Sequence, residues 1–590
     1  MKPRVIVETV FTEAIAEQIW TANTLTVFPV SPQAFSIGAV LPAVFYMFRW
    51  GHRRGKGRFQ QTFGINSAKP TIFYVAGKLT HGNPDFASFD TEIKKNILGD
   101  LLLCYALENK GHKEGQQVEV QRVFPTHYLS SWIDLPYQMA HLRFVPEMLV
   151  ALLAEQKEGR VLQPSAATVP FSVARGLEEN QLLKIFSKGV SIAERPANLR
   201  GDKVDETADL AIDQLLTIKL AQMCGEAPEE MRGPLPNVPN SWSIAQVAAS
   251  NFREDLAVFL QAYGQTIPRL TLVPMLESMI GLNFLNLFLS CTASVVRWER
   301  TGALIPQEEQ RPWPLFVDAS SGADHQLRRV SEESMERVNR LMDQAPTAMM
   351  SIRILDAHGR DDEMLQPHLP KGPDSTEWLN LLGKVRFKQH ESSLFLLRDL
   401  SQKCNRLVTQ LEKEELCSEV VELLRNTTAA SDPVDRLAGA IRTLMGDKLL
   451  RGQYMTFLDS CLQLNSPHGL GRKRRVPLRT VTKGRSTGDV RSIVLSNTLL
   501  DALAHRHICQ DSEGKVQKPL SFSAFLRILC ERHGFYVDQA PPGLSVSNED
   551  LRRNRQTLER RLRDLGLLVG VNDAESMKRL HPRYLTNTGA

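Results

Sequence analysis

Apolar residues recur at spacings of three and four through DETADLAIDQLLTIKLAQM (205–223), SIAQVAASNFREDLAVFLQAYG (243–264) and SSLFLLRDLSQKCNRLVTQLEKEELCSEVVELLRN (392–426). This spacing collects them on one helical face, and Lys and Glu fill the opposite face of the last stretch. VPEMLVALLAEQ (145–156), with a Pro near its start, predicts another helix. The short β-branched runs RVIVETV (4–10) and TIFYVAGKL (71–79) read as strands. MIGLNFLNLFLSCTASVV (279–296) approaches membrane-spanning length, but Asn283, Asn286 and Ser290 would each need a partner inside lipid. It predicts a buried core helix and no membrane association.

Breaks rich in Pro and Gly punctuate this pattern at VLQPSAATVPF (161–171), GEAPEEMRGPLPNVPNS (225–241) and HGRDDEMLQPHLPKGPDS (358–375). At 590 residues the chain is too long for one ordinary domain. The expected fold class is multidomain and mainly α. An α+β region occupies residues 1–165 and a mainly helical region 166–370. A helical bundle or partner-binding region follows at 371–470, and a basic carboxy-terminal part at 471–590.

Charge separates that last part from the rest. It carries 22 Lys/Arg against 12 Asp/Glu, a net of +10, which leaves −5 for residues 1–470 given the chain total of +5. Such asymmetry points to an end that meets a polyanion. The part opens with GRKRRVPLRTVTKGRSTG (471–488), whose Arg472, Lys473, Arg474, Arg475, Arg479, Lys483 and Arg485 stand without one acid. This segment is expected to be an arm that neutralises phosphates.

The most informative stretch is SVSNEDLRRNRQTLERRLRDLGLLVGVN (545–572). Ser547 with Asp550 three residues later resembles a capping box, and Gly566 supplies a stop. At about 100° per residue, Leu558, Leu562 and Leu565 fall within about 40° of Leu551. Arg552, Arg553, Gln556, Arg560 and Arg563 fall on the far side. A helix that buries its leucines thus turns four arginines and a glutamine outward, side chains suited to phosphates and base edges. Ion pairing of these arginines on a solvated face is the competing reading, with Glu559 four residues from Arg555 and Arg563.

SFSAFLRILCERHGF (521–535) predicts a preceding helix, LLVGV (567–571) a short strand, and MKRLHPRY (577–584) adds basic charge. Helix, turn, arginine-faced helix and strand together resemble winged helix-turn-helix domains over about residues 500–585. That resemblance implies a second helix in the major groove of duplex DNA and a wing along a phosphate strand. The connection YVDQAPPGLSVS is longer than the family's tight turn. In build the whole chain is similar to large accessory subunits of multi-gene bacterial anti-phage or DNA-modification systems. A second basic patch, His52, Arg53, Arg54, Lys56 and Arg58 with Phe59 and Phe63, fits either a single strand or a solvated hairpin tip.

No catalytic motif emerges. GRSTG (484–488) lacks the strand–turn–helix setting of a nucleophile elbow, and GHRRGK (51–56) lacks the spacing of a phosphate-binding loop. Asp85, Asp90, Glu92 and Lys94 faintly resemble the proline-aspartate nucleases. Asp356, His358, Asp361, Asp362 and Glu363 form a second acidic stretch. His505 and His507 read as helix-surface residues. Eight scattered cysteines form no metal-ligand pair. The expectation is a cytoplasmic, non-catalytic nucleic-acid-binding adaptor or specificity subunit without cofactor or metal. Its expected partners are DNA, with RNA as the alternative ligand, and other protein subunits. A nuclease with a dispersed active site and a helical scaffold without DNA affinity are the competing readings.

Overall fold

The computed structural model describes residues 3–21, 24–50, 62–63, 70–108, 120–133, 142, 144–153, 168–170, 181–191, 203–205, 208–224, 237–239, 242–372, 374–426, 432–477, 487–509, 520–570 and 578–587. It is mainly helical, with short strands in pairs and one three-stranded sheet.

Two long helices form the axis, Arg269–Thr301 and His325–Asp361. The first is apolar on nearly every side, the composition of a helix surrounded by protein. Among the described residues it alone is long and apolar enough to cross a membrane, yet 89% of its most apolar window is buried inside the fold. Two of its polar side chains are served by its own backbone: Asn283 donates to the Met279 carbonyl and Thr292 to that of Phe288. Gly302 ends the helix in the left-handed conformation, φ +74°. There it meets Gly383 of the helix Thr376–Arg386 so closely that a Cβ on Gly383 would lie 1.8 Å from the Gly302 carbonyl oxygen. The crossing requires glycine.

Helices Pro433–Met445 and Asp447–Leu462 pack against the second long helix, and Ser393–Lys413 and Ser418–Arg425 pack against Pro433–Met445. The stretch expected as one long helical piece is broken at Cys417, whose φ is +52°. Arg386, nearly buried, is held by Asp432 and Asp435 at the end of this group.

The two amino-terminal runs expected as strands are helices, Pro3–Val10 and Ile72–Gly82. In the first, Ile6, Val7 and Val10 are buried; in the second, Ile72, Val75, Ala76 and Leu79 are. These are helical spacings, and packing of that face outweighs the β-preference of the branched residues. Thr71 caps the second helix by accepting from the Tyr74 N–H. Strand pairing in this region comes from Ala106–Glu108 with Val120–Val123.

The carboxy-terminal order is helix Asn497–Ile508, strand Leu520–Ser521, helix Phe522–His533, helix Asn548–Asp564, then strands Leu568–Val569 and Arg579–Leu580. The three strands form one antiparallel sheet with Arg579–Leu580 in the middle. Between the last two helices, Phe535–Tyr536 pairs in parallel with Leu315–Phe316 of the body. One contiguous cluster of buried apolar residues runs from Ile6 to Leu580, so this end is packed into the rest of the chain.

Candidate nucleic-acid interface

The helix Asn548–Asp564 forms where its signals place it. Ser547 accepts from the Asp550 N–H at 3.1 Å, and Gly566 leaves the helix at φ +70°. Leu558 and Leu562 are buried, while Leu551 packs against the small cluster of Phe316, Leu327 and Leu544. Two polar residues also turn inward. Asn554, fully buried, accepts from the Ala319 N–H at 2.9 Å and donates to the carbonyls of Val317 and Val537 at 2.8 and 2.9 Å. Arg561 donates to the Ala319 carbonyl at 3.0 Å, to that of Leu495 and to Asn497. Burial lowers the pKa of Arg561, with Asp318 nearby opposing the shift. These bonds fasten the arginine-bearing helix to the body.

The outward arginines divide. Arg552 and Arg560 are exposed and have no partner among the described residues, and Gln556 is exposed between them. Arg553 is engaged by Asp324 at 2.8 Å and by Asp550. Arg563 is engaged by Glu559 at 3.0 Å and the Gly570 carbonyl at 2.9 Å, and Lys578 reaches the same glutamate at 2.9 Å. Ion pairing within the chain therefore claims half of the expected face.

The basic arm is an antiparallel hairpin of Gly471–Pro477 with Thr487–Ile493. Its alternation splits the cations between two faces. Lys473 meets Asp489 at 2.8 Å and Asp459 at 3.5 Å, and Arg475 meets Asp489 at 3.6 Å. Arg474 grips Glu332 with two nitrogens, at 2.5 and 2.6 Å. Arg472 alone of these four has no partner among the described residues. Arg479, Lys483 and Arg485, and the patch of His52, Arg53, Arg54, Lys56 and Arg58, lie outside the described residues.

Arg472, Gln556 and Arg560 come together on one cleft of about 1310 Å³. One wall is the loop 318–324. There the buried Asp318 accepts from the N–H groups of Ser320 and Gly322 at 2.8 Å each, and Asp324 caps the helix His325–Asp361. Burial raises the pKa of Asp318, and these bonds counter the rise. Another wall is the turn 463–471, wound tightly enough that Gln463 and Asn465 take φ values of +47° and +59°. Gly469 is required in this turn, since a Cβ there would lie 2.1 Å from the Gln463 carbonyl oxygen. Ser320, Ser321, Ser496, Asn497, Thr557 and Asn465 add hydroxyls and amides to the lining, and Asp324 and Asp564 add carboxylates. Little in the sequence marks the two walls beyond the turn formers of NSPHGLG.

Chemistry finds less support. Ser466 lines the cleft, and its hydroxyl lies 3.4 and 3.5 Å from the two ring nitrogens of His468. Both contacts are long, and His468 Nε2 also lies 3.2 Å from Glu277 Oε2. Three of the acids weighed for metal chemistry are engaged separately: Asp85 with Lys219, Asp90 with Lys94, and Asp356 with Arg360 and the Trp378 indole. His358 is buried beside the Ile354 carbonyl, and burial brings its pKa down to about 4. Among the described residues no group of three His, Cys, Asp or Glu side chains is placed to hold a metal ion.

His505 and His507, expected on the helix surface, are buried. His505 accepts from the Arg583 N–H at 2.9 Å, and His507 shares a 2.8 Å contact with His533. Helix Asn497–Ile508 is enclosed by the long helix Arg269–Thr301 and by the carboxy-terminal segment, which removes the exposed face that its histidines were expected to occupy.

No curated protein and no solved structure matches the chain. A family model described as methylation-associated defense system protein MAD7 matches residues 23–584, which takes in both walls of the cleft, the basic hairpin and the arginine-bearing helix. The chain belongs to that family and is thereby a component of a methylation-associated defense system.

Proposed function

We propose that the chain is the non-catalytic nucleic-acid-binding component of its defense system. In this reading it is a cytoplasmic adaptor of a bacterial anti-phage complex that docks duplex DNA beside other protein subunits. The observation that carries the reading is the convergence on one polar cleft of Arg472 from the hairpin with Gln556 and Arg560 from a helix some eighty residues later. Unpartnered guanidinium groups among hydroxyls and amides are what a phosphate backbone requires. The carboxy-terminal order of helix, strand, helix, helix, strand and strand supports a winged-helix-like unit. Its second helix of the pair carries the free arginines, and the strands Leu568–Val569 and Arg579–Leu580 stand where a wing would.

Charge reversal at Arg472 and Arg560 is the test. The wild-type chain should shift a duplex at low salt and the doubly reversed variant should not; equal binding by the two removes the cleft from consideration. The scaffold reading draws on the arginines and lysines already paired within the chain. It predicts no DNA affinity at any salt concentration.

A further inference from the structure

We infer, building on the nucleic-acid reading, that the cleft receives the phosphate ridge of a strand and that the arginine-bearing helix does not read bases in the major groove. A helix that reads base edges must stand clear of its own protein, because the groove is about 12 Å wide and a helix with its side chains nearly fills it. Here the face carrying Gln556 and Arg560 is bordered by protein on the flank of Arg553 and Arg561. Asp324 is held at Arg553, and the Leu495 carbonyl and Asn497 are held at Arg561. Asn554 and Arg561 fasten the helix on the inner side, so it cannot advance out of this frame.

The lining has the same bias. Among the described residues its free cations are guanidinium groups, its remaining donors are hydroxyls and amides, and it contains no aromatic ring on which a base would stack. Of the lining side chains of the kind that pairs with adenine, Asn465 accepts from the Lys473 N–H and Asn497 from Arg561, which leaves Gln556, and a single such contact in a recess gives little discrimination. The ligand class is therefore a phosphodiester backbone whose shape and charge, and not its sequence, are recognised.

The experiment uses the full chain and three duplexes of equal length and unrelated sequence, with affinity followed by fluorescence anisotropy across a salt series. A fourth duplex carries neutral methylphosphonate linkages in one strand, and inorganic polyphosphate is titrated separately. The three duplexes should bind within about threefold of one another, and the neutral-backbone duplex at least about tenfold more weakly. Arg472→Gln with Arg560→Gln, both at exposed side chains without partners among the described residues, should flatten the salt slope by about 1.8. That is about 0.9 for each phosphate released, or roughly a twelvefold change between about 50 and 200 mM salt. Gln556→Ala should weaken all three duplexes alike. Preference for one sequence by more than about thirtyfold, or loss of that preference alone in Gln556→Ala, overturns the inference while leaving nucleic-acid binding in place. Binding of polyphosphate but of no duplex overturns both the inference and the reading beneath it.

Discussion

Replacement of Asn554 by leucine tests whether the arginine-bearing helix is fastened as described. The side chains share their branching and number of heavy atoms, so the main loss is polar, with the bulkier methyls of leucine adding to it. Leucine leaves the Ala319 N–H and the carbonyls of Val317 and Val537 without their partner in a site closed to water. Each orphaned backbone group costs about 1–3 kcal/mol, and at the lower half of that range three of them set the loss near 4 kcal/mol. At about 1.4 kcal/mol per tenfold change, opening of this contact becomes roughly a thousandfold more frequent. Hydrogen–deuterium exchange at the Ala319 amide reads this directly, because that proton is donated to Asn554. Exchange should accelerate by two to three orders of magnitude in Asn554→Leu, with peptides of the helix Arg269–Thr301 unchanged. Acceleration below about tenfold would show that Asn554 does not hold the helix to the body, and the argument for a fixed, recessed helix would fail with it.

Gly383→Ala should destabilise the chain by about 3 kcal/mol or more, since its Cβ meets the backbone of Gly302, which has no flexible end to move aside. Gly452→Ala, with open space around the added carbon, should be neutral or stabilising by about 1 kcal/mol; thermal unfolding of the two variants checks the pair, and equal midpoints contradict it. Burial, with Arg532 and Arg506 adding to it and Asp255 opposing, holds His533 down to about 4, and burial also depresses His507 well below its ordinary value. Both histidines are neutral in the fold and take up protons first when unfolded. Their contribution is complete above about pH 6.5 and is lost as pH falls towards 4, on the order of 3 kcal/mol for His533. A His507→Phe, His533→Phe variant should therefore show a shallower fall in urea stability over that range than the wild type, and identical pH profiles would refute the assignment.

The arginine-bearing helix was legible because three independent local signals agree: the Ser547 cap, the leucine stripe and Gly566. Its inward polar residues were not. Asn554 and Arg561 look like solvent-facing residues in a charged helix, and two of their partners, Val317 and Ala319, lie more than 200 residues upstream. The same holds for the hairpin. Nothing local distinguishes Arg472 from Lys473, Arg474 and Arg475; the difference is made by Asp459, Asp489 and Glu332, which only the fold brings near. The amino-terminal runs were misread for a different reason. Ile72, Val75, Ala76 and Leu79 carry a helical period in plain view, but their β-branched and aromatic neighbours favour a strand when residue type is weighed above spacing.

Arginine-selective chemical modification, read by mass spectrometry with and without a duplex, tests the central claim most directly. Arg472 and Arg560 should be modified readily in the free chain and protected together once DNA is bound, whereas the exposed Arg340, on the second long helix, should stay reactive in both states. Undiminished modification of Arg472 and Arg560 on a DNA-saturated chain would place the nucleic acid elsewhere and contradict the account.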